Sequence, residues 1–258
     1  MEVRPIDARR MTGFEPRTYG DHIAPVYDER EANLVVDETL LKFLKNLAGK
    51  GPALEFGIGT GRVALPFAAK GVRVDGVDAS RAMVAELRKK PHGPDLRVKI
   101  GNMASADMGT RYSLVYVVFN TFFHLTTQND QVRCFENAAR HLKRGGYFVL
   151  ETFFPDLSRF VRDQGMTVKE VDVNRVWVSF AVLERAEQRV TSQDAKIQGN
   201  EVRLYPNQIR FAWPSELDLM ARLAGLRRVG RYGGWDKRPF RTEANEMYVS
   251  VYQRTGAR

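Results

Sequence analysis

Between Ala53 and Lys70 the chain reads A-L-E-F-G-I-G-T-G-R-V-A-L-P-F-A-A-K, and this stretch limits the possible folds more than any other. The apolar run Ala53 to Phe56 has the pattern of a short buried strand. Gly57, Gly59 and Gly61 break it at every second position, and an amphipathic segment from Arg62 to Lys70 follows at once. Strand, glycine turn and helix in that order bring bare backbone and a helix N-terminus against a ligand. A side chain at any of the three glycines would fill the ligand's space or forbid the turn's dihedrals.

The next element narrows the ligand. Gly71 to Asp78 reads as a second strand ending in a carboxylate, 21 residues past Gly57. One carboxylate can accept hydrogen bonds from both hydroxyls of a ribose, so Asp78 is the expected ribose ligand, and Asp75 sits too early to reach. Gly59 to Ala64 fits the loose G-x-G-x-x-A pattern of nicotinamide cofactors. Against that reading, Glu55 places negative charge two residues before the first glycine. A pyrophosphate would be repelled there, whereas the cationic methionine end of S-adenosylmethionine would be welcome. The glycines form the tighter G-x-G-x-G, and no Tyr-x-x-x-Lys dyad follows.

E-F-G-I-G-T-G at 55–61 and G-V-D-A-S at 76–80 resemble motifs of the class I S-adenosylmethionine-dependent methyltransferases. The resemblance implies a doubly wound α/β fold, a seven-stranded mostly parallel sheet of Rossmann-like type, with S-adenosylmethionine as methyl donor. It assigns Gly57, Gly59 and Gly61 to the donor loop, Glu55 to the methionine end and Asp78 to the ribose. After the third strand, Leu96–Ile100, the family often has an acidic residue that binds the adenine amino group. Asn102 stands there, and its amide oxygen can still accept that bond. Met103 beside it could pack on the adenine ring.

Length and composition agree with this. At 258 residues the chain suits one α/β domain with an elaboration. The net charge of +9 permits an anionic partner, but the basic residues are scattered, and nucleic acid is not the expected one. No apolar run approaches the roughly 18 residues of a membrane span. The polar start lacks a signal peptide's apolar stretch, and Cys134, the single cysteine, allows no disulfide within the chain. A cytoplasmic protein is expected. No clustered His, Cys or acidic pattern suggests a metal.

Taken in order, residues 1–30 read as an arm or lid over the site. In the resembling family such a segment often carries a tyrosine inward, which makes Tyr19 and Tyr27 candidates. A helix from Glu31 to Leu47 opens the donor-binding core, 31–155. Ser80 is placed to cap a helix over 81–90. Tyr112 to Phe119 is a central strand, and Asn120 to Leu125 follows at the sheet's carboxyl edge. Thr127 caps a helix over 128–143, which Gly145-Gly146 ends. Residues 156–212 begin with a short helix near 157–162 and continue as an inserted antiparallel sheet of three or four strands. Such a sheet could roof the substrate site or pair two subunits as a homodimer. Residues 213–258 complete the core, with a helix capped by Ser215 and Asp218 and a final pair of strands, 226–232 and 246–252.

Methyl transfer from a sulfonium is an in-line displacement. The protein mainly holds donor and acceptor about 3 Å apart and excludes water. Tyr19, Phe119, Phe122 and Phe123 could offer aromatic faces to the sulfonium, although phenylalanines after an apolar strand also suit a core. His124 is the best-placed base for an acceptor that needs one, with Glu151, Asp156 and Tyr19 as weaker alternatives. A hydrogen-bonded structural histidine is the competing reading. Phe119-Asn120-Thr121-Phe122 lacks the prolines of enzymes that methylate exocyclic base nitrogens, and the layout is similar to amino-sugar N-methyltransferases of antibiotic pathways. The expected function is methyl transfer to a nitrogen or oxygen of a small-molecule acceptor. An RNA methyltransferase and a non-catalytic donor-binding protein remain as alternatives.

Overall fold

Apolar strands separated by amphipathic helices can bury both faces of a sheet only if the helices divide between them, and this chain folds that way. A computed structural model describes residues 13–30, 36–242 and 247–255. Strands β1 (Ala53–Phe56), β2 (Val74–Asp78), β3 (Arg97–Ile100), β4 (Tyr112–Val117) and β5 (Leu142–Phe153) run parallel. Four further strands, β6 (Gln164–Asp172), β7 (Arg175–Glu184), β8 (Arg189–Gln198) and β9 (Glu201–Arg210), form a separate antiparallel sheet in sequence order. The chain then returns to the main sheet with β10 (Leu226–Tyr232) and β11 (Met247–Arg254). The main sheet has the order β10-β11-β5-β4-β1-β2-β3, with β11 antiparallel to both neighbours. This is the doubly wound sheet that the motifs implied, with the inserted antiparallel sheet expected from the alternating pattern within 156–212.

Helix α1 (Thr18–Ile23) and the single turn α2 (Tyr27–Arg30) precede the core helices α3 (Glu38–Ala48), α4 (Ala64–Ala69), α5 (Arg81–Lys89), α6 (Gln128–His141) and α7 (Pro214–Leu223). Two have the expected polar cap, Ser80 accepting from Met83 N–H and Thr127 from Asp130 N–H, and α3 has one that was not expected, Asp37 accepting from Leu40 N–H. On one face of the sheet Leu40, Leu44 and Phe67 pack against Val149 and Val249. On the other, Phe135 and Leu217 pack with Phe148 and Tyr252. Each such side chain, when fully buried, contributes about 1.5–3 kcal/mol of transfer free energy. The layer order therefore follows from the apolar periodicity.

Several local expectations are corrected. Trp213, not Ser215, is the N-cap of α7, and no side chain caps it. Asp218 instead pairs with Arg228 and Arg231 of β10, so a stronger tertiary ion pair takes it from the helix end. No helix forms over 157–162, where the chain makes a turn. α6 ends at His141 rather than at the glycines, because β5 pairs with β4 from Leu142 onward. The helix expected over 62–70 begins only at Ala64, and that expected from Glu31 is described from Glu38. Residues 1–12, 31–35 and Glu246 lie outside the described residues.

Two elements cover the carboxyl edge of the main sheet. The arm from α1 to α2 lies between α5 and β9, with Ile23, Ala24, Met83 and Tyr205 forming a small core. Asp21 accepts from Ser80 Oγ at 2.6 Å, and Asp28 accepts from Thr60 Oγ1 at 2.7 Å. Asp28 also pairs with Lys90 at 2.6 Å. Arg30 reaches Asp194 of β8 at 2.9 Å, and Lys169 of β6 meets the same buried carboxylate at 2.5 Å. Asp194→Asn leaves two cations facing a neutral amide. We expect a loss of about 2 kcal/mol, below the 3–5 of a fully buried pair because Lys169 is partly exposed. Denaturant unfolding and faster amide exchange over residues 18–30 check this; unchanged exchange there would contradict it.

Candidate active site

The parallel strand order reverses between β1 and β4, and a crevice opens outside their carboxyl ends, as it does at switch points of open α/β sheets. A cavity of about 440 Å³ occupies it, closed above by the arm and by Asn207 and Ile209 of β9. Residues of the donor loop, the end of β2, the turn after β4 and the end of β5 all line this one space.

In the turn after β1, Gly57, Gly59 and Gly61 have φ of +71°, +55° and +78°, the region glycine enters without penalty. The expectation that side chains here would meet the ligand needs refinement. A Cβ at Gly57 would lie 2.2 Å from Thr121 Cγ2, and one at Gly61 would lie 2.3 Å from Leu87 Cδ1. Those two glycines allow protein packing. At Gly59 an added carbon meets Met83 Cε at 3.4 Å and the Gly57 carbonyl oxygen at 4.0 Å, both ordinary contacts, and the residue lines the cavity.

Asp78 ends β2 with both oxygens engaged by backbone: Gly59 N–H donates at 2.7 Å and Ser80 N–H at 2.8 Å. Burial raises its pKa, and these two donors oppose the rise. Each oxygen keeps a further lone pair. Glu55, 2% exposed, accepts from Tyr116 Oη at 2.9 Å, its cross-strand neighbour on β4. Burial pushes its pKa up to about 8 and nearby Asp78 adds to this, while Tyr116, Arg62 and the Ala64 N–H oppose it. A carboxyl in that state gives up its proton readily once a cation comes near. Asn102 and Met103 both line the cavity. The Asn102 carbonyl oxygen of the side chain accepts from Ala104 N–H at 2.8 Å, which fixes the loop.

The turn after β4 carries strain. Phe119 and Asn120 have φ of +53° and +62°, two consecutive non-glycine residues in the left-handed region, at a cost on the order of 1 kcal/mol each. The surroundings enforce it. Phe119 N–H donates to the Glu151 carboxylate at 2.9 Å, and Asn120 Oδ1 accepts from Phe153 N–H at 2.7 Å. The Arg62 guanidinium lies 3.8 Å over the Phe119 ring. Glu151, its pKa raised by burial, also accepts from Trp235 Nε1 at 2.6 Å.

His124 falls in a 3-10 turn over Thr121–His124. Its ring stacks on Tyr19 of the arm, centroids 4.7 Å apart, so the two sequence candidates are brought together. Burial pushes the His124 pKa down to about 4, opposed by a backbone hydrogen bond to Gln208 of β9. Its imidazole is neutral at physiological pH. Phe119 lines the cavity too, so every candidate site residue except Gly61, Phe122, Phe123 and Asp156 is gathered around one space; Gly61 turns its α-carbon toward Leu87 and Leu65. Sequence reasoning missed Arg62, read there as a helix start, and Trp235, Asn207 and Met247. The position of Arg62 directly after the third glycine was a usable signal; the other three come from distant strands and loops.

A sheet of this order with a glycine turn and a terminal carboxylate defines a nucleoside-binding α/β protein, and comparisons with known proteins specify it. Residues 53–146 match the family model described as "Methyltransferase domain". The chain is similar to the CcbJ methyltransferase from Streptomyces caelestis, with 35% identity, a TM-score of 0.84 and coverage of 94% of this chain and 100% of that one. It is 27% identical over 239 residues to the cypemycin N-terminal methyltransferase of Streptomyces sp, covering 91% of this chain and 97% of that protein. It is 31% identical over 142 residues to a Saccharopolyspora spinosa dTDP-4-amino-2,3,4,6-tetradeoxy-D-glucose N,N-dimethyltransferase, covering 54% and 55%. The chain belongs to the S-adenosylmethionine-dependent methyltransferases, and S-adenosylmethionine is its methyl donor.

The raised pKa of Glu55 sets a pH window. The folded protein holds a proton that the unfolded chain releases above the ordinary value of 4.5. The stability from this group is therefore full below that value and is lost as pH rises through about 8. Denaturant titrations of the ligand-free protein should show stability falling from pH 5 to 8, with a shallower slope in Glu55→Gln. Affinity for S-adenosylhomocysteine should rise over the same window. Parallel slopes in parent and variant would contradict the assignment.

Proposed function

We propose that the enzyme transfers the methyl group of S-adenosylmethionine to a nitrogen of a small-molecule amine, by in-line displacement. One observation carries this reading: a single cavity joins Glu55 and Asp78 to His124, Tyr19 and the inserted sheet. A non-catalytic donor-binding protein has no use for the second half. Arg62 is the one Lys or Arg lining the cavity among the described residues, whereas an RNA methyltransferase needs a contiguous basic surface beside its pocket. Nitrogen is preferred over oxygen because one relative is named as an N,N-dimethyltransferase of an amino sugar and another as methylating a peptide N-terminus.

In this reading Asp78 holds the ribose, Glu55 the methionine ammonium, and Asn102 and Met103 meet the adenine. Gly57, Gly59 and Gly61 shape the loop, and Phe119 and Tyr19 offer ring faces to the sulfonium, worth about 1 kcal/mol or more once dry. The acceptor enters as a free amine. Its lone pair forms the C–N bond as the C–S bond breaks, leaving a neutral thioether and an ammonium that sheds its extra proton to solvent. A ring with a pKa near 4 is a poor store for that proton. We therefore assign His124 to orientation, accepting an N–H bond from the amine, in place of the base expected from sequence. The single, buried cysteine supports a reducing compartment, the cytoplasm.

The test follows tritiated methyl transfer to amino sugars and to peptides with an unblocked N-terminus. His124→Ala should lower kcat/KM about tenfold with an unchanged pH profile. A loss of the 10²–10⁴-fold size typical of a missing base would restore the base role. Failure to label any amine while hydroxyl compounds are labelled would overturn the choice of nitrogen.

We further propose that the outer face of the inserted sheet pairs two copies of this chain. Cross-strand register places Met166 beside Phe180, Val168 and Val178 in line with Leu204, and Val176 with Ile197 and Val202. Six of these, Met166, Val168, Phe180, Ile197, Val202 and Leu204, are 40–67% exposed. No charged residue occupies those rows, so the face is complementary to itself, as a twofold interface requires. Sedimentation should show a dimer that Phe180→Lys with Leu204→Lys dissociates. A monomeric parent would contradict the pairing, and a monomer that binds phosphatidylglycerol vesicles would assign the face to membrane.

A further inference from the structure

Side chains along β9 alternate, so Leu204 and Pro206 face outward while Tyr205, Asn207 and Ile209 face the arm and the cavity. Asn207 and Ile209 line that cavity. Ile209 is apolar, as a roof over a dry site should be. Asn207 is not, and its Oδ1 is buried from solvent with no hydrogen-bond partner among the described residues. The neighbouring His124 shows the same feature at Nδ1. The two belong to one patch, because the backbone of Gln208, next to Asn207, hydrogen-bonds the His124 ring. A buried acceptor left unmatched weakens the protein, so two together on the wall of a binding cavity point to a ligand that brings donors.

We infer that Asn207 is a substrate-positioning residue: its side-chain oxygen accepts a hydrogen bond from an N–H or O–H of the acceptor molecule beside the atom that is methylated. The inserted sheet thereby reads the acceptor as well as covering it. The inference rests on the amine reading given above and deepens it. With His124 on the turn after β4 and Asn207 on β9, an acceptor with two adjacent donor groups, such as an amine next to a hydroxyl, spans two separate elements of the fold. A tertiary amine without a neighbouring hydroxyl offers neither bond and is excluded as substrate.

The experiment compares the full chain with Asn207→Leu and Asn207→Asp. Leucine is close in size and removes the unmatched acceptor. The ligand-free Asn207→Leu protein should therefore melt about 2–4 °C higher, the shift that 1 kcal/mol gives in a chain of this size. Its affinity for S-adenosylhomocysteine should stay within twofold of the parent's. With tritiated S-adenosylmethionine and two probes, D-glucosamine and alanyl-alanine, KM for the methylated probe should rise tenfold or more while kcat changes less than threefold. Asn207→Asp keeps an acceptor oxygen and should retain KM within threefold. A lower melting temperature in Asn207→Leu means that the side chain is structural and overturns the inference, as does an unchanged KM. If the parent labels neither amine, the amine reading falls, and the melting temperature decides the place of Asn207 separately.

Discussion

A carboxylate at the end of a buried strand needs a counter-charge, and Glu55 organises the site around that need. It sits inside the sheet edge with Tyr116 as its hydrogen-bond partner, and burial keeps its pKa near 8. Desolvation of an unmatched carboxylate costs several kcal/mol, which the fold avoids by letting the group stay protonated. A cationic ligand reverses the balance, since its charge favours the ionised form at short range. The glycine turn, the Asp78 carboxylate clamped by Gly59 and Ser80, and Arg62 above Phe119 are all built within reach of that one group.

The second half of the site depends on the turn after β4. Two left-handed residues in succession are held by Glu151, Phe153 and Arg62, and the result aims the chain across the mouth of the donor site. Arm and inserted sheet, packed against each other through Ile23, Ala24 and Tyr205, then close over it together. They are joined to each other through Asp194 and to the donor loop through Asp28 and Thr60. The same short connections therefore touch donor loop, lid and roof. In the proposed reaction this closure serves to keep water from the carbon that is transferred.

Much of the fold was legible because it is written in local patterns. Ser80 and Thr127 announce their helices, the run 112–119 announces a buried strand, and E-F-G-I-G-T-G with Asp78 announces the donor loop. The failures are equally physical. Asp218 has the spacing of a capping residue, but Arg228 and Arg231 arrive from another strand and claim it. Gly145-Gly146 has the look of a helix stop, but pairing with β4 extends β5 back to Leu142. Trp235 and Asn207 reach the site from loops and strands far along the chain, and no periodicity marks them. His124 was visible as a candidate; its low pKa was not, since burial is a property of the assembled fold.

The measurement that bears most directly on this account is a crystal structure with S-adenosylhomocysteine. The ribose diol should lie within about 3 Å of the Asp78 oxygens, the amino group of the homocysteine beside Glu55, and the sulfur should turn toward His124, Tyr19 and the roof. A nucleoside bound elsewhere, or one seated in this cavity with its amino group away from Glu55, would contradict it.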